Sequence, residues 1–217
     1  MELYHVLNRG VEKRNLFEDD GDRVRFVHNL YAFNDRAPAN NTRRRMNDIV
    51  SRSLGRESLV ELHGWCLMDN HYHLLLSEVI EGGLSMFIRR LNIGYAKFFN
   101  EKHHRSGVLF QGRTKKIRIA SEPHLHYILH YIHLNPLDFL DGAHGWRGGT
   151  VDDPQAVLRH LETYRWSSFL DYCGERNFPS LLTQAVFAEI HGNYRQTLAS
   201  YVRSMAQTDE LRTLVLE

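Results

Sequence analysis

Two apolar runs separated by a polar pair constrain this chain more than any other feature. Residues 59 to 67 and 71 to 78 are rich in strand-forming side chains, and Asp69 and Asn70 lie between them. This arrangement is typical of an antiparallel hairpin, in which a tight turn joins two paired strands. Successive side chains of a strand point to opposite faces of the sheet, so the residues of the second run must divide between the two faces.

The second run begins with two histidines that flank a tyrosine, His71, Tyr72 and His73. Alternate residues of a strand point to the same face, so both imidazoles can reach one metal ion while Tyr72 packs on the opposite face. A lone histidine among leucines is more often a core residue, but histidine is also the commonest metal ligand. The pair therefore predicts a metal site at one end of the sheet.

The other predicted elements alternate between strands and helices. Apolar residues at helical spacing indicate two helices, and Ser121 followed by Glu122 and Pro123 is a typical start of a third. The predicted strands are 3 to 7, 59 to 67, 71 to 78 and 108 to 119, and the predicted helices are 20 to 33, 84 to 100 and 121 to 135. The order β-α-β-β-α-β-α predicts an α+β fold, a ferredoxin-like (RRM-like) antiparallel sheet with helices on one face.

The predicted organisation is one main domain with two additions. Residues 1 to 149 form the domain, and residues 150 to 217 form a mainly helical C-terminal accessory region. Within the domain, residues 37 to 58 are rich in arginine, asparagine and turn residues, and predict an inserted arm with a short helix at 43 to 53. A chain of 217 residues, 42% of them hydrophobic, is long enough to bury a core.

Cysteine usage and hydropathy exclude several classes of protein. Cys66 and Cys173 are far apart and lack a CxxC pattern, which argues against a disulfide framework or a structural zinc site. No apolar run approaches the roughly 20 residues that a membrane helix requires. We therefore expect a cytoplasmic protein that has no membrane partner.

The net charge of +1 conceals a local excess of basic residues. Residues 102 to 121 contain six lysines and arginines and no acid, and residues 36 to 56 add an arginine triplet against one aspartate. Such clusters are either solvated surface or sites that bind phosphate groups, and two of them near a candidate metal site favour nucleic acid. The candidate DNA-binding residues are Arg9, Arg113, Lys115, Lys116 and Arg118.

Tyr131 and Asn135 lie four residues apart near the end of the third predicted helix. This spacing places a phenol and an amide oxygen on one helical face, where both can approach the same ion. Tyrosine has a pKa of about 10, so it attacks a phosphodiester only with help from a metal or a cation. The alternative is that Tyr131 is a core or surface residue, like Tyr127 one turn earlier.

Four motifs, in this order, resemble the single-tyrosine HUH transposases (IS200-like transposases), and among them the REP-associated tyrosine transposases of bacteria. The motifs are YHVLNRG, HYH, LNIGYAKFFNEKHHRSGVLFQGR and YIHLNP, and the resemblance covers residues 2 to 140. YRWSSF at 164 to 169 also resembles a segment found downstream in the REP-associated branch. Any one H-x-H is weak, whereas ordered motifs at compatible spacing are specific.

The resemblance implies a role for each matched residue. His71 and His73 correspond to the HUH histidines, Asn135 to a third ligand of a divalent metal, and Tyr131 to the nucleophile. The implied cofactor is Mg²⁺ or Mn²⁺. The implied substrate is single-stranded DNA beside an imperfect hairpin, and the implied reaction is a transesterification that forms a 5′-phosphotyrosine and frees a 3′-hydroxyl. No small-molecule cofactor is implied.

Two other functions are open on the sequence. The chain is either an active transposase or a domesticated protein that binds DNA hairpins without mobile-element activity. The third reading, an H-x-H metallohydrolase, requires a carboxylate where Leu75 stands.

Some members of the resembled family are dimers that exchange the tyrosine helix, but the C-terminal extension favours a monomer here. Other histidines without a matching role are interpreted as surface or hydrogen-bonding residues: His103, His104, His126, His130 and His133.

Overall fold

The computed structural model describes residues 1–37 and 56–204, so the short helix predicted at 43 to 53 lies outside the described residues. The sheet is antiparallel with the strand order β2-β3-β1-β4. Its strands are Leu3–Arg9 (β1), Val60–Met68 (β2), His71–Glu78 (β3) and Lys115–Arg118 (β4). This order of strands and helices is the ferredoxin-like arrangement, which confirms the predicted fold class.

Helices α1 to α3 follow the predicted positions closely, and shorter helices follow towards the C-terminus. The helices are Asp20–Ala32 (α1), Gly83–Lys102 (α2), Glu122–Leu134 (α3), Pro154–Thr163 (α4), Phe169–Tyr172 (α5), Ala185–His191 (α6) and Tyr194–Ser204 (α7). Ser121 caps α3 by accepting a hydrogen bond from the backbone nitrogen of His124, as its position in the sequence predicts. Among the described residues, no helix is both long and apolar enough to cross a membrane.

The prediction of a strand over 108 to 119 was wrong in its extent. Only Lys115–Arg118 forms the strand, and Phe110 makes an isolated bridge to Gly10. Gly112 has a φ of 62°, in the left-handed region, which interrupts an extended backbone. The basic segment is therefore mostly a loop that leads into a short edge strand.

Alternate residues of β3 contribute to two hydrophobic clusters on opposite faces of the sheet. Tyr72 belongs to a cluster with Phe26 of α1 and Phe87 of α2. Leu75 belongs to a second cluster that includes Ile128 of α3. Helices α1 and α2 therefore cover one face, as predicted. The prediction of helices on one face was incomplete, because α3 packs on the opposite face, where β3 is also apolar.

The segment around the YRWSSF motif covers the free edge of β2. The backbone carbonyl of Trp166 accepts a hydrogen bond from the Leu67 nitrogen at 2.9 Å, and the Ser168 nitrogen donates to the Trp65 carbonyl at 2.9 Å. An edge strand carries unpaired backbone groups, which these contacts satisfy. The C-terminal residues thus complete the sheet, and the predicted domain boundary near residue 149 stays a prediction.

Buried polar contacts also attach the C-terminal helices to α3. The Tyr194 hydroxyl lies 2.7 Å from His133 Nδ1 and 3.2 Å from His130 Nδ1. The other ring nitrogen of His133 lies 2.7 Å from the hydroxyl of Ser168. His130 and His133 are hydrogen-bonding residues of the core, as the sequence interpretation allowed. Through these hydrogen bonds, Tyr194 of α7 and Ser168 of the YRWSSF segment hold one side of α3.

Candidate active site

The histidine pair lies at the start of β3, on the face that α3 covers. The ring centroids of His71 and His73 are 4.9 Å apart. Tyr72 points to the opposite face, where its hydroxyl donates to Asn92 Oδ1 at 2.9 Å and its ring packs 5.0 Å from that of Phe26. The predicted division of these three side chains between the two faces is confirmed, and Tyr72 is a packing residue.

A third histidine, His5 of β1, joins the pair. The register of β1 with β3 places Leu7 opposite His73, so His5 lies on the same face one step along the sheet. Its Nε2 atom is 2.9 Å from His73 Nδ1, and the two rings stack with centroids 5.1 Å apart. His5 was not among the predicted site residues, although the alternation of Leu3, His5 and Leu7 in β1 is a signal for this face.

Burial keeps the inner histidines uncharged. It lowers the pKa of His5 to about 3, and nearby His124 adds to the effect. Burial also lowers the pKa of His73 well below its usual value, with contributions from His71, His5 and Arg147. A neutral imidazole has one nitrogen with a lone pair, which is the form that binds a metal ion.

Asn70 determines the tautomer of His71. Its side-chain oxygen, which can only accept a hydrogen bond, lies 2.6 Å from His71 Nδ1. The proton of the neutral ring is therefore on Nδ1, and the lone pair is on Nε2. A hydrogen bond of this kind orients a ligand histidine and raises its basicity. Asn70 was predicted only as a turn residue, so this contact is an addition to that role.

Helix α3 brings Tyr131 to the histidines. The Tyr131 side chain is buried, and its ring centroid lies 5.7 Å from that of His73 and 5.8 Å from that of His5, both edge to face. On its other side, the ring packs 5.7 Å from Trp146. Tyr127 contacts Tyr131 at 6.0 Å, but its ring also packs on Tyr201 of α7. Of these two tyrosines, Tyr131 is the one in ring contact with His5 and His73.

Asn135 is buried and lies one helical turn after Tyr131, at the C-terminal end of α3. Its amide nitrogen donates to the Tyr131 carbonyl at 2.8 Å, and its amide oxygen accepts from Arg147 at 2.9 Å. Arg147 also pairs with Asp138 and lies 4.4 Å over the ring of Trp146. The oxygen predicted to bind the metal is thus bonded to a guanidinium, although an amide oxygen has a second lone pair.

Asp138, Trp146 and Arg147 were not predicted as site residues. They follow the YIHLNP motif in a segment without regular periodicity, so neither spacing nor charge indicated that they fold back onto the tyrosine helix. The structure places all three beside the end of α3.

The donor types of the three predicted ligands are compatible with a divalent metal ion. His71 offers Nε2, His73 is neutral, and Asn135 offers an amide oxygen, a mixed nitrogen and oxygen set without thiolate that suits Mg²⁺ or Mn²⁺. Within residues 1–37 and 56–204, no group of three or more histidine, cysteine, aspartate or glutamate side chains could hold a metal. A metal bound by the two histidines therefore needs oxygen ligands from an amide, the substrate or water.

A basic cleft opens beside His71. It has a volume of about 660 Å³ and is lined by Leu7, Asn8, Arg9, Lys13, Asn70, His71, Gln111, Gly112, Arg113, Lys115 and Asp138. Four of these side chains are cationic, and Asp138 is the one acidic residue among them. Three candidate DNA-binding residues, Arg9, Arg113 and Lys115, thus share one concave surface with the first histidine, where phosphate groups can be held.

Two other candidates for DNA binding lie elsewhere. Lys116 and Arg118 alternate with Lys115 along β4, so their side chains leave the opposite face of the sheet. Lys116 Nζ donates to the hydroxyl of Ser85 at 2.9 Å, and Arg118 pairs with Glu2 at 2.7 Å. Neither residue lines the cleft.

The family of the chain follows from a comparison with protein-family models. The model described as "Transposase IS200 like" matches residues 24–135, which is more than half of the 217 residues. The protein belongs to the IS200-like transposase family. The matched segment of this IS200-like transposase contains His71, His73, Tyr131 and Asn135.

A solved structure is also similar to this chain. It is described as a REP-associated tyrosine transposase bound to a REP hairpin, and the similarity covers 84% of each chain at 15% sequence identity and a TM-score of 0.48. No curated protein sequence matches the chain. The assignment to the REP-associated branch stays a prediction.

The neutrality of the inner histidines can be tested by NMR. At about pH 5, a histidine with the usual pKa of about 6.5 is almost entirely protonated. His5 is expected to be neutral at that pH, because its pKa is lowered to about 3, and His73 is expected to be neutral because its pKa lies well below the usual value. Imidazole ¹⁵N shifts of the metal-free protein measure this directly, and imidazolium shifts from either residue at pH 5 would contradict the description of the site.

Proposed function

We propose that this IS200-like transposase is a metal-dependent single-stranded DNA endonuclease and strand transferase that uses Tyr131 as its nucleophile. The observation that supports it most strongly is the contact of the Tyr131 ring with His73, 5.7 Å between centroids, across the interface between α3 and the sheet. A phenol beside two neutral imidazoles and a basic cleft is an arrangement suited to phosphodiester chemistry.

The proposed reaction is a transesterification. The phenol oxygen of Tyr131 forms a bond to phosphorus, and the bond from phosphorus to the 3′-oxygen breaks. The phenol proton leaves to a base and the departing 3′-oxygen gains a proton, so the products are a 5′-phosphotyrosine and a 3′-hydroxyl. One phosphodiester replaces another, and therefore the reverse reaction joins strands without ATP.

His71, His73 and Asn135 are the residues that would hold the divalent ion. Such an ion polarises a non-bridging phosphate oxygen and stabilises the charge of the transition state. Asn70 orients His71 through the 2.6 Å hydrogen bond to Nδ1, and His5 orients His73 through the 2.9 Å contact. Trp146 and the two inner histidines enclose the Tyr131 ring, which limits its motion and the access of water.

The proposed DNA path follows the basic cleft. Arg9, Arg113 and Lys115 would bind backbone phosphates next to His71, because cationic side chains on a concave surface attract a polyanion without sequence preference. The motifs shared with the resembled family support single-stranded DNA beside an imperfect hairpin as the substrate. For Lys116 and Arg118, a role in DNA binding would require a second contact surface on the face that carries α2.

We further propose that the protein acts as a monomer that uses its own Tyr131. Residues of α7 pack against α3, and the Tyr194 hydroxyl contacts His130 and His133. An exchange of α3 between two chains would break these buried contacts, and unpaired buried polar groups are costly.

The identity of the nucleophile is tested by a pair of variants. Tyr131→Phe is expected to reduce the covalent protein–DNA adduct to below about one thousandth of wild type, because it removes the attacking oxygen. The assay incubates the protein with labelled hairpin-bearing single-stranded DNA and Mn²⁺ and resolves the adduct on a denaturing gel. Tyr127→Phe, one turn earlier, is the matched control and should retain the adduct. An adduct that survives Tyr131→Phe, or that is lost only in Tyr127→Phe, would contradict the assignment.

The metal site is tested through Asn70. Asn70→Ala removes the acceptor for His71 Nδ1 and is expected to weaken Mn²⁺ binding by about 10-fold. Asn70→Asp keeps an acceptor at the same position and should bind Mn²⁺ at least as well as wild type. Titration followed by electron paramagnetic resonance measures the affinity, and thermal unfolding confirms that both variants fold. Equal affinities of wild type and Asn70→Ala would show that His71 is not a ligand oriented by Asn70.

A further inference from the structure

Phe139 is exposed at the end of the segment that follows the tyrosine helix. Its side chain is 43% exposed, and it is the only phenylalanine, tyrosine or tryptophan among residues 1–37 and 56–204 that is classed as exposed. It ends the 3-10 helix Asn135–Phe139, which begins at the predicted metal ligand. A single exposed aliphatic side chain is common on protein surfaces, whereas an exposed aromatic ring is a candidate contact for a ligand.

The rings of Phe139, Tyr164 and His160 pack one after another in a short column. Phe139 is the outermost ring of this column. Phe139 and Tyr164 are 5.9 Å apart with an angle of 31° between their planes, and Tyr164 and His160 are 6.3 Å apart at 25°. The inner rings are fixed by hydrogen bonds, from the Tyr164 hydroxyl to the Leu67 carbonyl at 2.5 Å and from His160 Nε2 to the Pro136 carbonyl at 2.9 Å. The column therefore supports Phe139 from one side and leaves its ring partly open to solvent.

Phe139 follows a residue of the basic cleft in the chain. The preceding residue, Asp138, lines the cleft together with Arg9, Arg113 and Lys115. Proteins that bind single-stranded nucleic acid combine two elements, a positively charged groove for the phosphates and aromatic rings on which unpaired bases stack. Here the exposed ring of Phe139 directly follows, in the chain, a residue that lines the basic cleft.

We propose that Phe139 is a stacking platform for an unpaired DNA base next to the nucleotide whose phosphate enters the cleft. The inference deepens the proposed function and rests on it, because it names a subsite for single-stranded DNA. Stacking uses the face of a base and requires no hydrogen bonds to its edge, so the subsite accepts any base. Only an unpaired base can leave the duplex to stack on the ring, so the subsite distinguishes unpaired from paired nucleotides. Phe139 would thereby hold single-stranded DNA beside a hairpin in register with Tyr131.

The test measures binding in the absence of cleavage. Fluorescence anisotropy in EDTA compares a DNA hairpin that carries a single-stranded flank with the same hairpin without the flank. Phe139→Ser is expected to weaken binding of the flanked hairpin by about 5- to 150-fold, the range for loss of one base stack, without changing binding of the blunt hairpin. Phe139→Trp should restore wild-type affinity. Ile93→Ser removes another exposed apolar side chain, on α2 at the opposite face, and should change neither affinity.

A spectroscopic readout separates stacking from an effect on folding. 2-Aminopurine placed at successive positions of the flank should lose fluorescence at one position on binding to wild type and to Phe139→Trp, but not to Phe139→Ser. Equal affinity of Phe139→Ser and wild type for the flanked hairpin would overturn the stacking subsite while leaving the proposed function intact. Failure of the wild-type protein to bind either DNA would overturn the proposed function and this inference together.

Discussion

The packing of α3 against the histidine face of the sheet is the contact on which the rest of the site depends. It brings the Tyr131 ring within 5.7 Å of the His73 ring, although one residue lies on a helix and the other on a strand far away in the chain. The interface is a hydrophobic cluster that includes Leu75 and Ile128. Apolar burial is non-directional, so the polar contacts of Tyr194 with His130 and His133 add the specificity that fixes the position of the helix.

The site combines a buried interior with a charged rim. Inside, burial keeps His5 and His73 neutral, which is the form in which an imidazole can bind a metal ion. At the rim, Arg9 and Arg113 surround the cleft and remain exposed to the solvent that brings a polyanion. Along β3, the half-buried His71 lies at the rim, and the buried His73, two residues later, lies in the interior. In the proposed function, the charged rim would hold neighbouring backbone phosphates, and the enclosed part would hold the reacting phosphodiester beside Tyr131.

Most of the fold was predictable from local patterns. The hairpin of β2 and β3, the amphipathic helices and the capping of α3 by Ser121 all follow from periodicity and turn residues, and the structure confirms them. The extent of β4 was not predictable, because a loop and a basic strand have similar composition. The position of α3 on the second face depends on long-range packing, which a pattern of apolar residues indicates only as burial.

The site was predicted only in part. His71, His73, Tyr131 and Asn135 were named from spacing and resemblance, and α3 brings Tyr131 to His73 while Asn135 lies behind it with its oxygen bonded to Arg147. The partners that orient them arise from pairings between strands and from an irregular segment. These partners are His5, Asn70 as the acceptor for His71, Asp138, Trp146 and Arg147. The alternation in β1 indicates only the face on which His5 lies, and no local sequence rule predicts the contacts themselves.

The central claim is that the tyrosine of α3 which touches the histidines is the one that attacks DNA. Mass spectrometry of the covalent adduct tests it most directly, since digestion of the DNA and of the protein leaves a nucleotide on a single peptide. We expect a nucleotide attached through its 5′-phosphate to Tyr131. Attachment at Tyr127 or at any other residue, or through a 3′-phosphate, would contradict it.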